Sequence, residues 1–99
     1  KEYRSFKAFY PYYLKEHSNK TCRRLHFVGS SLVILFLLAA LWTSNSWFFL
    51  MMPLSGYAFA WVGHFFFEHN KPATFTYPVY SLIGDWKMFA QILSGKIKF

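Results

Sequence analysis

From Leu25 to Phe67 the chain carries no Lys, Arg, Asp or Glu, and only His26 and His64 in that stretch can become charged. Forty-three residues without a formal charge is about the length of two membrane crossings of ~20 residues joined by a turn. The turn is legible as Thr43-Ser44-Asn45-Ser46, where Asn45 or Ser46 is suited to cap a following helix. The first span is then residues 27–42 and the second residues 47–67. No polar face interrupts either run, which separates them from the helices of a soluble hairpin. Neither reads as a signal peptide, because the first is internal and no small-residue cleavage site follows it. With 99 residues, 55% of them hydrophobic and 24% aromatic, residues 1–99 are expected to form a single membrane domain.

Charge orients this hairpin. Seven of the eleven Lys and Arg residues precede Leu25, four follow Phe67, and the turn has none. Two spans return the chain to its starting side, so both basic flanks, and with them both termini, are expected on the cytoplasmic side. The membrane is then expected to be a bacterial inner membrane, or the endoplasmic reticulum in a eukaryote. The net charge of +7 then reads as attraction to anionic headgroups. Nucleic acid is not the expected partner, since the basic residues flank apolar spans and form no groove-reading motif. The single cysteine, Cys22, excludes an internal disulfide and falls on the reducing side.

The flanks carry their own pattern. Tyr3, Phe6, Tyr10, Tyr13, Leu14 and His17 recur at helical spacing, interrupted near Pro11, and Val79, Leu82, Ile83, Trp86, Ala90 and Leu93 do the same. Residues 1–18 and 78–94 are therefore expected to be amphipathic helices lying in the interface beneath the hairpin. The expected fold is an all-α membrane protein: a two-span transmembrane helical hairpin with an amphipathic interfacial helix before it and another after it.

This frame places the histidines. His26 and His64 are about equally far from the middle of the turn, so an antiparallel hairpin puts them at nearly the same depth. His26 adjoins Gly29 and Ser30, and His64 shares a face with Ala60 and Gly56. Small residues mark close helix packing, so both imidazoles are expected to point inward. His17, on the apolar face of the first amphipathic helix, folds under the same end. Glu68 follows His64 by one helical turn, whereas His69 lies ~100° further round. Three histidines and a carboxylate on one patch fit metal ligation. Imidazole suits Zn, Cu, Fe and Ni, and two histidines with a carboxylate form the usual non-haem Fe(II) pattern. No Ser/His/Asp or Cys/His set and no phosphate-binding glycine loop is readable.

Two blocks carry a resemblance, YYLKEHSNKTCRRLHFVG (12–29) and GHFFFEHNKPATFTYPVYSLIGDWKMF (63–89). They are similar to a membrane family long carried as a domain of unknown function, whose yeast member is an Fe(II)-dependent dioxygenase in the α-oxidation of 2-hydroxy fatty acids. The shared points are an H-x8-H pair, here His17 and His26, and a second block with His64, Glu68, Pro72 and Ala73. The resemblance implies Fe(II) held by His17, His26, His64 and Glu68, O2 as co-substrate, and a long-chain 2-hydroxy fatty acid as substrate. It implies a catalytic role for Asp85, which stands where the yeast-like proteins tend to have Glu. His69 occupies a position at which the family tolerates Lys or Arg, which argues against its being a ligand.

On that reading the acyl chain stays in the bilayer while its head reaches the metal. Arg23, Arg24 or Lys71, with Lys20 beside them, would hold the carboxylate through charge-assisted hydrogen bonds, or else anchor lipid headgroups. Asn19 and Asn70 would orient ligands from behind or cap helices, and Pro53 would kink the second span. Two other classes compete. His26 and His64 could be the axial ligands of a haem, and the hairpin could be a membrane scaffold without catalysis.

Overall fold

A computed structural model describes residues 3–99; the first two residues of the 1–18 segment lie outside the described residues. The chain is all helical, with no strand among the described residues. It runs as α1 (Phe6–Lys15), α2 (Lys20–Thr43), α3 (Trp47–Val62), a π-helical turn (Gly63–Glu68) that continues α3, a 3₁₀ turn (Ala73–Phe75) and α4 (Pro78–Leu93).

α1, α2 and α3 start where a side chain satisfies one or two of the free N–H groups, whereas α4 starts at Pro78 with no side-chain cap. Ser5 Oγ accepts from the Ala8 N–H at 3.2 Å, and Asn19 Oδ1 accepts from Thr21 and Cys22 at 2.9 and 3.2 Å. The Asn19 cap starts α2 at Lys20, seven residues ahead of the apolar run, so His26 sits inside the helix rather than just before it. In the turn, Ser44 takes the left-handed conformation at φ 58°. Ser46 is the N-cap residue of α3 but its side chain makes no cap bond; Asn45 Oδ1 accepts from the Trp47 N–H at 3.1 Å in its stead. α1 ends at Lys15 and runs through Pro11 without a break.

The two ends of the molecule bury apolar groups differently. α1 and α4 pack face to face over Phe9, Tyr10, Tyr13, Met88 and Ile92, with Ala73 closing one side. Gly84 makes this possible, because a Cβ there would lie 3.0 Å from the Tyr13 ring. The hairpin of α2 and α3 leaves Leu35, Leu41, Trp42 and Trp47 exposed by 59, 65, 90 and 72%. Helices Lys20–Thr43 and Trp47–Glu68 are both long and apolar enough to cross a membrane, and little of either is covered by the rest of the chain. A core helix of a soluble protein would be covered. The molecule is 43 Å long, comparable to a bilayer with its headgroups.

The hairpin closes through small residues. A Cβ on Gly29 would come 2.9 Å from Phe59 Cβ, and one on Gly63 would come 2.9 Å from Cys22 Sγ. The Gly63 contact lies one residue from His64 and one turn from His26, so it sets the distance between those two imidazoles.

Candidate metal centre

Three elements each deliver one histidine to the end of the hairpin next to the α1–α4 layer. His26 comes from the second turn of α2 and His64 from the π-helical turn. His17 comes from the link just past α1, where its ring stacks on Tyr13 at 4.1 Å between centroids. All three are buried. Their imidazole planes stand at 90, 78 and 87° to one another. His17 Nε2 lies 3.0 Å from His26 Nε2 and 3.0 Å from His64 Nε2.

The opposite ring nitrogens fix the protonation. His17 Nδ1 faces the Tyr13 carbonyl at 2.6 Å and His26 Nδ1 faces the Cys22 carbonyl at 3.1 Å. His64 Nδ1 faces Asn70 Oδ1 at 2.7 Å. The Asn70 amide is oriented by its other end, which donates to the Glu16 carboxylate and carbonyl at 3.0 and 3.3 Å. A carbonyl oxygen only accepts, so each Nδ1 carries the proton and each Nε2 of a neutral ring presents a lone pair. Three lone pairs then face one another, with His17 Nε2 3.0 Å from each of the other two and the three ligand atoms within 4.8 Å of one another. A doubly protonated His17 would relieve this by donating to both neighbours, but burial, then His26 and His64, hold its pKa well below 6.5. A cation fits better. Two nitrogens ~2.1 Å from one ion and about 90° apart are about 3.0 Å from each other, and metal-bound histidines characteristically donate their far N–H to an oxygen.

The other expected site residues divide. The Glu68 carboxylate is not in the histidine group. It accepts from the Asn19 backbone N–H and from Ser18 Oγ, where it meets the positive end of α2. Glu68 is the last residue of the π-helical turn, and its carboxylate is held on the link ahead of α2 instead of beside His64. His69 is exposed in the left-handed conformation at φ 60° and ends the helix. Asn70 is the residue that orients a histidine, whereas Asn19 is a helix cap that also donates to the Phe67 carbonyl at 3.3 Å. Arg23 donates to the carbonyls of His17 and Ser18 at 3.2 and 2.8 Å, and Arg24 to that of Phe99 at 3.1 Å. Lys71 is exposed. None of these three cations lines the space beside the histidines.

Asp85 does line it, with Tyr13, Tyr57 and Ser81. This space is about 20 Å³, room for one water. The Tyr13 hydroxyl donates to Asp85 Oδ1. Burial raises the Asp85 carboxyl to about 6, with the Tyr13 bond acting the other way. Burial and Asp85 push Tyr13 well above 10. Ser81 Oγ is buried with no hydrogen-bond partner, an uncommon state for a hydroxyl, so a polar group entering the space would find a free donor there. Tyr13 and Ser81 had no signal in the sequence as site residues, because each sits among apolar neighbours on an amphipathic helix.

A family model described as 2-hydroxy-palmitic acid dioxygenase Mpo1-like matches residues 3–97. No curated protein and no solved structure matches the chain.

Proposed function

The chain belongs to the Mpo1-like family, and from that premise we propose that it is an Fe(II)-dependent dioxygenase that shortens long-chain 2-hydroxy fatty acids by one carbon at a membrane surface. The convergence of three unprotonated Nε2 atoms carries this reading. His17, His26 and His64 would hold the iron, which when bound supplies O2 chemistry and two-point attachment for a hydroxyl and a carboxylate. The chain's own groups do the rest. The Tyr13 and Cys22 carbonyls and Asn70 Oδ1 keep the ligand tautomers fixed. Asp85, with a carboxyl near 6, is mostly ionised at neutral pH and suited to take the proton that the 2-hydroxyl gives up. Ser81 Oγ can donate to the substrate's carboxylate. Lys20, Arg24 and Lys71 are exposed cations that would draw anionic amphiphiles to the interface.

Given Fe(II), O2 and 2-hydroxypalmitate in lipid, mass spectrometry should find the acid one carbon shorter, and His64→Ala should give none. If iron-loaded protein leaves 2-hydroxypalmitate intact but consumes another lipid, the substrate assignment falls. If it consumes nothing, the scaffold reading replaces the enzyme. Haem is disfavoured by geometry, because the His26 and His64 rings are 5.0 Å apart between centroids, too close for a macrocycle to lie between them.

Asn70→Ala tests the hydrogen bond behind His64. Removing such a partner costs ~10–100-fold in metal affinity, so the variant should still take up metal but release it to a chelator at lower concentration. Unchanged chelator sensitivity would remove Asn70 from the site.

The proposed orientation has both termini in the cytoplasm and the Thr43–Ser46 turn on the far side. A cysteine at Ser44 should react with an impermeant maleimide from outside intact cells, and one at Ser94 only after permeabilisation. The reverse pattern would invert the topology.

A further inference from the structure

Beside the histidines lies a second, larger cavity of about 320 Å³, bounded by α2, α3 and α4. It shares His26, Tyr57, Ala60 and Asp85 with the small space at the metal centre. From there it follows the hairpin past Ser30 and Gly56 to Val33, Met52 and Pro53, with Leu82 and Trp86 of α4 as its outer wall. The polar groups, His26 and Asp85, are at one end and apolar side chains are at the other. Its size falls within the range of ligand pockets. From His26 to Val33 is about 10 Å along the helix axis. The outer wall is open, since Leu82 is 57% exposed.

We propose that this groove seats the first stretch of the acyl chain, next to the head, while the remainder leaves past Leu82 into the bilayer. The inference rests on the fatty-acid reading of the metal centre and adds where the chain lies. The groove has the polarity order of an amphiphile, with its polar end at the histidines and its apolar end along the hairpin. Three small residues, Ser30, Gly56 and Ala60, leave the room. A 10 Å groove is much shorter than an extended long acyl chain, so the far half of the substrate touches lipid and not protein. Lipid tails solvate methylenes as well as a protein wall does. The site therefore orients the chain near the head and is indifferent to its total length. At equal mole fraction in the membrane, 2-hydroxypalmitate and much longer 2-hydroxy acids should bind within about threefold of each other.

The test uses metal-loaded protein in liposomes, without oxygen so that nothing turns over, and a 2-hydroxy fatty acid with a diazirine about six carbons from its carboxyl. After irradiation the label should sit on Val33, Met52, Leu82 or Trp86, and excess 2-hydroxypalmitate should remove it. A second probe with the diazirine at the chain terminus should label lipid instead of these residues. Ser30→Phe, which blocks the groove midway, should reduce the mid-chain label at least tenfold while the bound metal is unchanged. Label confined to Leu35 and Leu38 on the lipid-facing side of α2, or undiminished in Ser30→Phe, overturns the groove and leaves the metal centre standing. Should Ser30→Phe fail to fold, the label map of the unaltered protein decides alone. Failure of the unaltered, metal-loaded protein to bind any 2-hydroxy acid would defeat the functional reading itself, and the groove's occupant with it.

Discussion

Replacing any one of His17, His26 or His64 with alanine is expected to empty the metal centre, whereas His69→Ala should leave it loaded. The three Nε2 atoms form one set, with His17 3.0 Å from each of the other two, and no other His, Cys, Asp or Glu among the described residues joins their group. A three-nitrogen set that loses one member keeps two donors, and the vacated position opens to water. The loss should exceed the ~10–100-fold that follows removal of a partner behind a ligand. His69 is exposed and turned away by its left-handed backbone. Glu68→Gln separates the two roles open to that residue. As the group that accepts the Asn19 N–H, its amide can still accept, so metal content should stay close to that of the unaltered protein. Metal per protein after anaerobic purification is the measurement. Retention by His17→Ala together with loss from His69→Ala would reverse the ligand assignment.

The hairpin was readable because a charge-free run is a solvent statement, and its turn because Thr, Ser and Asn cluster there. The pairing of His26 with His64 followed from antiparallel counting, which needs only helix rise. His17 was reached by a different route from the one expected. It lies past the end of α1, and its ring is brought in by stacking on Tyr13 and by the bond to the Tyr13 carbonyl. Glu68 shows where counting stops working. Spacing puts it near the face of His64, but the Asn19 backbone N–H and the Ser18 hydroxyl hold its carboxylate on the link ahead of α2. The basic residues stand outside the space beside the histidines for another reason. Arg23 and Arg24 stand near the site in sequence, but the carbonyls of His17, Ser18 and Phe99 accept from their guanidinium groups. Asn70, expected to orient a ligand or cap a helix, does the first, because the chain bends back at His69 and brings it beside His64.

Gly63→Ala should cost more than its single methyl suggests, and should weaken metal binding without touching a ligand. A Cβ at residue 63 would lie 2.9 Å from Cys22 Sγ and 3.2 Å from Cys22 Cα. The second contact is backbone and cannot rotate away, so α2 and the π-helical turn must separate. Overpacking of this kind costs about 1–3 kcal/mol. His26 is one turn beyond Cys22 and His64 is next to Gly63, so the same displacement moves two of the three nitrogens apart. Metal affinity should fall more than tenfold, alongside a lower unfolding temperature in detergent. Gly56→Ala is the control, because its Cβ would meet only the Val33 Cγ2 methyl, at 3.2 Å, which a small side-chain shift relieves. It should lose little stability and no metal. Adding Cys22→Ala to Gly63→Ala removes the sulfur contact and leaves the backbone one, so the pair should recover part of both losses, a coupling that unconnected sites would not show. If Gly63→Ala binds metal as tightly as the unaltered protein, the spacing of His26 and His64 is not set at this crossing, and the imidazoles must be held by their Nδ1 partners alone.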